Sequence, residues 1–257
     1  MYDTTDRSRE MDEQTWWDYW NTSYRTDHTN DAIPNELFAR TATVINQLSR
    51  HDDNRILEVA CGTGSLSRLL AFSSYHGLDI SPAAIDIARH HCKPVSPPPS
   101  ARSMTYEAVD FHDWPLPPER FDTVVCVDAI SSFRDQRLAL DKMAQSLRPS
   151  GSLVLTTINP FVYSRIRRTR PNMLQCGPVS HWLTQGELHN LIKSAGLTIK
   201  YSGTIMPRGN RGILRLINSP RVNRVFGPRM QPFLKQLKEQ LGLGQYRLVI
   251  AQKELRA

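Results

Sequence analysis

From Arg55 onward the chain alternates short apolar runs with segments of helical spacing, and few architectures accommodate that pattern. Residues 56–60, 75–80, 104–109, 121–127, 152–158, 197–201 and 246–252 read as strands. Residues 65–72, 135–147 and 184–195, and a segment opening at Ser81-Pro82, read as helices, and a further helix over 35–48 precedes the first strand. Pro149 and Gly151 are expected to close the 135–147 helix, and Gly196 the 184–195 helix. Residues 121–127 (FDTVVCV) are apolar enough to be buried on both faces. Strands separated by helices give a mostly parallel sheet covered on both faces. The expected fold is therefore α/β, a Rossmann-like seven-stranded sheet in a single domain over 1–257. An aromatic helical lid is expected at about 14–50, and an insertion before the last strand at about 204–244.

Composition narrows the setting. Hydrophobic residues make up 40% and charged residues 22%, ordinary values for a globular chain. Apolar runs fall short of the ~20 residues that span a membrane, and residues 1–13 are polar and acidic, unlike a secretion signal. A cytoplasmic location is the resulting expectation. Cys61, Cys92, Cys126 and Cys176 share no metal-ligand spacing, and reduced thiols with no metal site are expected. The net charge of +7 is unevenly placed. Residues 161–230 hold twelve Lys or Arg against the single acid Glu187, so that segment carries +11 and the remainder −4. Contact with an anionic partner or surface, or a solvated basic face, would each account for it.

In such sheets ligands bind beyond the carboxyl ends of the strands. The first strand runs into Cys61-Gly62-Thr63-Gly64, a turn that lets backbone approach a ligand. Acids mark the neighbouring ends: Glu58 in the first strand, Asp79 at the second, and Asp110 with Phe111 at the third. A carboxylate at the second strand end suits both hydroxyls of a ribose. A dinucleotide and S-adenosylmethionine both fit this frame. The dinucleotide fingerprint needs a third small residue where this chain has Ser67, and Glu58 would repel a pyrophosphate. A sulfonium and an ammonium group suit an acidic pocket better.

Five ordered segments then resemble the class I S-adenosylmethionine-dependent methyltransferases. They are residues 56–64 (ILEVACGTG), 77–81 (GLDIS), 109–111 (VDF), 121–127 (FDTVVCV) and 147–153 (LRPSGSL). The resemblance implies contacts to the methionine moiety from Glu58, Ala60, Gly62 and Gly64. It implies ribose binding by Asp79, adenine packing by Ile80, adenine contacts from Asp110 and Phe111, and Val127 and Asp128 near the sulfonium. Trp20 and Tyr24 are expected to cover the cofactor as part of the lid, or to belong to a helix packed on the sheet.

On the acceptor side, Asp128 and His181 are the candidate bases, although a hydrogen bond where the 184–195 helix begins would equally account for His181. Residues 16–18 (WWD), 177–182 (GPVSHW) and the 184–197 unit are loosely similar to the ubiquinone-biosynthesis O-methyltransferase group. Ser131 and Ser132 stand where that group carries an acid and a histidine, which puts metal-assisted catalysis in doubt. The expected activity is methyl transfer to oxygen or nitrogen of a small acceptor in biosynthesis or secondary metabolism. Nucleic acid is disfavoured as a partner, because no appended RNA-binding module is present. Methylation of RNA or an anionic carrier-bound substrate, or a non-catalytic partner subunit, are the alternatives.

Overall fold

The computed structural model describes residues 32–48, 54–91, 103–116, 120–164, 181–207, 214 and 227–255. Trp20, Tyr24, Cys92, Cys176 and the arginines at 165–170 lie outside them. The elements in chain order begin with α1 (Ala32–Leu48), β1 (Arg55–Val59), β2 (Ser74–Asp79), α2 (Pro82–His91), β3 (Ser103–Ala108) and β4 (Phe121–Val127). They continue with α3 (Gln136–Ser146), β5 (Leu147–Ile158), α4 (Pro160–Tyr163), α5 (Gln185–Ser194), β6 (Leu197–Pro207), α6 (Gly227–Gln240) and β7 (Gly244–Lys253).

The seven strands form one sheet in the order β3-β2-β1-β4-β5-β7-β6. β7 runs antiparallel to both of its neighbours, while the pairs from β3 to β5 are parallel. Chain order reverses between β1 and β4, the position where open α/β sheets leave a crevice for ligands.

Side-chain alternation along the buried strands supplies both cores. Ile56, Tyr75, Val125, Val154 and Leu248 face α1 and α2, where Leu37, Ile45, Ile85 and Ala88 meet them. Leu57, Val59, Val124, Cys126, Leu153 and Val249 face Leu140 and Met143 of α3 and Leu188 and Ile192 of α5. Glu58 thus lies between two apolar neighbours, pointing to the face opposite theirs, where Tyr75 also lies.

Three elements differ from expectation. The helix expected over 65–72 is a single 3-10 turn, Ser67–Leu69. Of the nine residues between Gly64 and β2, only those three are helical. Ser67 instead ties the turn down, donating to the Gly64 carbonyl at 2.7 Å and pairing with the Tyr106 hydroxyl at 2.7 Å. Pro149 and Gly151 lie inside β5 rather than in a helix-closing turn. Ser150 there has φ 62°, and the β4–β5 register shifts between Phe121 and Thr123 to accommodate it. β6, expected to end at Tyr201, continues to Pro207 after a register shift at Ile199/Tyr201. By contrast, Thr184 forms the full capping box with Glu187, and Gly196 closes α5 at φ 77°.

Candidate active site

At the carboxyl ends of β1, β2 and β4 lies a cavity of about 290 Å³. It is lined by Glu58, Ala60, Gly62, Asp79, Ile80, Asp110, Phe111, Val127 and Asp128. These are nine of the residues singled out in the sequence, from four separate strand ends, brought together by the parallel register. Gly64 does not line the cavity. It braces the turn, its N–H donating to the Cys61 carbonyl at 3.0 Å with φ at 74°. His181 is exposed and does not line the cavity either. Its Nε2 lies 3.3 Å from Glu187, and its carbonyl accepts from Gln136.

The turn after β1 is built for backbone approach. Ala60 and Gly62 both hold left-handed φ, 60° and 53°. The Gly62 N–H donates to Asp79 Oδ2 at 2.7 Å, and Ser81 N–H donates to Asp79 Oδ1 at 2.9 Å. Those bonds fix the carboxyl at the mouth of β2. Asp128 repeats the device at the end of β4, with φ 53° and its N–H donating to the Thr156 carbonyl at 2.9 Å.

Electrostatics divides the four acids. Burial raises Glu58 to about 8, against the opposing hydrogen bond that Tyr75 Oη donates to it at 2.5 Å. Burial raises Asp79 to about 6, with the backbone donors of Ser81 and Gly62 working against it. Asp128 is exposed at the open cavity, so the crowding of protein around it raises its carboxyl but solvent there screens the effect. Asp110 is the exception. Burial alone would raise it, but His112 donates to Oδ1 and Arg134 Nη2 to Oδ2 at 2.6 Å, and they hold it down at about 2. The Asp110 bond in turn raises His112. Arg134, Phe38, His112 and Phe133 also line the cavity and were not singled out in the sequence; Ser132, noted there as a departure from the O-methyltransferase pattern, lines it too. The Asp110–Arg134 pair spans 24 positions and joins two loops, so no local pattern announces it.

Three carboxyls that resist ionisation favour a ligand bringing positive charge, since a nearby cation offsets the burial cost. A pyrophosphate would add to that cost. The glycine turn and Asp79 fit a ribose and an amino-acid tail beside it. Among the described residues, no group of three or more His, Cys, Asp or Glu is placed to hold a metal ion. Nor is any helix there long and apolar enough to cross a membrane.

Comparison with known sequences decides among nucleotide-binding families. A family described as a methyltransferase domain matches residues 33–201, from α1 into β6. The chain belongs to the methyltransferase domain family. The resemblance to class I S-adenosylmethionine-dependent methyltransferases is thereby borne out, and the seven-stranded Rossmann-like sheet with it. Over 110 residues the chain is 31% identical to a ubiquinone biosynthesis O-methyltransferase of Alkalilimnicola ehrlichii, covering 42% of this chain and 43% of that protein. Over 159 residues it is 26% identical to a tRNA N(3)-cytidine methyltransferase of Danio rerio, covering 56% and 44%. The matches thus span about half the length of these relatives or less. Among solved structures, an S-adenosylmethionine-dependent methyltransferase from Mesorhizobium loti shares the fold, with TM-score 0.56 and 22% identity, covering 82% of this chain and 96% of that one.

Proposed function

We propose that this chain binds S-adenosylmethionine across the carboxyl ends of β2, β1 and β4 and directs its methyl group to oxygen or nitrogen of a small acceptor. The observation that carries this reading is the convergence of Glu58, Asp79 and Asp128 on one cavity, all three held above the ordinary carboxyl range. When bound, the cofactor supplies a methyl group already activated on a positive sulfur. The residues of the chain then need only bind, align and move one proton.

Asp79 would accept the two ribose hydroxyls, with Ile80 and Phe111 beside the adenine and Asp110 at its edge. Glu58, deep under the turn, would answer the ammonium end. Asp128 is favoured over His181 as the base, because it lines the cavity at the end of β4 whereas His181 does not, and its carboxyl is raised above the ordinary range. The relative from ubiquinone biosynthesis supports a small-molecule acceptor and oxygen as the methylated atom. The +11 charge of residues 161–230 and the tRNA-modifying relative favour RNA as a second reading.

Release of S-adenosylhomocysteine across a panel of phenols, aromatic acids, amines and unmodified tRNA tests both. Turnover with a small acceptor that falls at least ~10²-fold in Asp128→Asn, while S-adenosylhomocysteine, which lacks the sulfonium charge, still binds, supports the first reading. Asn tolerates the left-handed backbone at this position, so the variant should fold. Turnover with tRNA alone, falling steeply with salt, supports the second.

A further inference from the structure

The exposed apolar side chains of this protein are not scattered singly, as those of a globular surface ordinarily are. Among the described residues ten large ones are exposed, and four of them, Met230, Phe233, Leu237 and Leu241, belong to α6 and the turn that ends it. At 100° per residue they fall within an arc of about 80°. Leu241 continues the stripe, because its N–H still donates to the Leu237 carbonyl at 2.9 Å. Phe233 is 56% exposed and Leu241 65%, so the stripe is open along its length.

The opposite face holds the helix to the body, and it is polar. Glu239, on the far side of the helix from Met230, pairs with Arg40 of α1 and accepts from the Met206 N–H at 3.1 Å. Its carbonyl accepts from the Thr204 hydroxyl at 2.7 Å. Lys235 donates to Glu36 of α1 at 3.0 Å. An amphipathic helix on a globular body ordinarily turns its apolar stripe inward. In α6 the arrangement is reversed: ion pairs face the protein, and the apolar stripe faces out.

Charge says what this face meets. From Leu188 to Lys238 the chain holds ten Lys or Arg and no acid. Six of those are arginines between 208 and 229, leading directly into the first turn of α6. The one acid of α6, Glu239, is taken by Arg40. A second copy of the chain would bring the same excess of positive charge to the contact and repel it. A nucleic acid would answer the charge but leave Phe233 and Leu237 in water. An anionic bilayer surface answers both, the stripe entering at headgroup level and the cations meeting lipid phosphates. α1 links this face to the cavity, since Glu36 and Arg40 meet α6 and Phe38 of the same helix lines the cavity. We propose that α6 is a peripheral membrane-docking helix that seats Met230, Phe233, Leu237 and Leu241 in the interface of an anionic bilayer. This docking is separate from the methyltransferase reading, because none of the four residues lines the cavity.

The test is co-sedimentation of the full chain with vesicles of phosphatidylcholine alone and of phosphatidylcholine with phosphatidylglycerol. Wild type should bind the anionic vesicles about tenfold or more tightly than the neutral ones, and added salt should weaken that binding. The double variant Phe233→Glu with Leu237→Glu should lose about tenfold or more of the affinity for anionic vesicles. Its Tm and its S-adenosylhomocysteine affinity, read in parallel, should match wild type, since both side chains are exposed and outside the cavity. Phe233→Trp keeps the apolar surface and supplies a second reading that needs no loss of function: its emission should shift to the blue on anionic vesicles beyond the change in wild type. Wild type that binds neither vesicle, or both alike, overturns the assignment, as does a double variant that still binds like wild type. An unshifted emission from the Phe233→Trp variant overturns it too. A wild-type dimer that the double variant dissolves would give the stripe to a second copy instead, and a double variant that loses RNA binding while keeping vesicle binding would give it to a nucleic acid; each contradicts the proposal.

Discussion

Ala60 and Asp128 hold left-handed backbone at the ends of β1 and β4, a conformation that costs a side-chain-bearing residue about 1 kcal/mol or more. Both line the cavity, so the strain sits where backbone must turn toward a ligand. Ala60→Gly should therefore raise stability by about 1 kcal/mol in thermal unfolding and leave cofactor affinity intact. A loss of stability would contradict the strained turn. Asp79→Ala should weaken cofactor binding by about 1.5–3 kcal/mol while the protein stays folded, as expected for hydrogen bonds to a charged group; equal affinity in calorimetry would remove Asp79 from the ribose. The raised acids give a pH dependence with a definite sign. Glu58 and Asp79, both buried, hold protons more tightly folded than unfolded, so their contribution to stability is present below about pH 4 and is lost as pH rises toward 8. A cationic cofactor pulls the same groups toward ionisation, so binding near pH 7 should release protons and tighten with rising pH. Calorimetry in two buffers of different ionisation heat reads that release, and equal heats would contradict it. At this scale the sequence was informative for Glu58, Asp79, Asp110 and Asp128, because each ends or lies within a recognisable strand. Arg134 and Phe38 were not legible, since their place in the cavity depends on loops and helices folding against those strands.

Between strands and helices the alternation pattern was legible, and what it missed has a common cause. Propensity sees Ser65 to Phe72 as helix formers, but the segment holds one 3-10 turn, with Ser67 bonded to the Gly64 carbonyl and the Tyr106 hydroxyl. Pro149 and Gly151 look like punctuation, yet β5 passes through them with an irregularity that pairing with β4 and β7 tolerates. Gly77 in β2 is set by close approach. A Cβ there would lie 2.8 Å from the Tyr106 ring and 2.9 Å from Cys61 Sγ. Cys61 holds the turn through its N–H to the Leu78 carbonyl, so the strand and the turn share this contact. Gly77→Ala should cost about 1–3 kcal/mol in denaturant unfolding and also weaken cofactor binding. A stable variant with normal affinity would show that the turn is independent of β2.

Across the whole molecule, the acids and the bases are segregated along the chain and the sheet puts that segregation to use. Glu58, Asp79, Asp110 and Asp128 all precede the midpoint and gather at one cavity. The later half, poor in acids, supplies the other side of the sheet. A cationic cofactor over β2, β1 and β4 suits that arrangement. Titration of the wild-type chain by calorimetry with S-adenosylhomocysteine and, separately, with NAD tests the central claim most directly. The account predicts saturable one-to-one binding of S-adenosylhomocysteine and no heat with NAD; binding of NAD without binding of S-adenosylhomocysteine would contradict it.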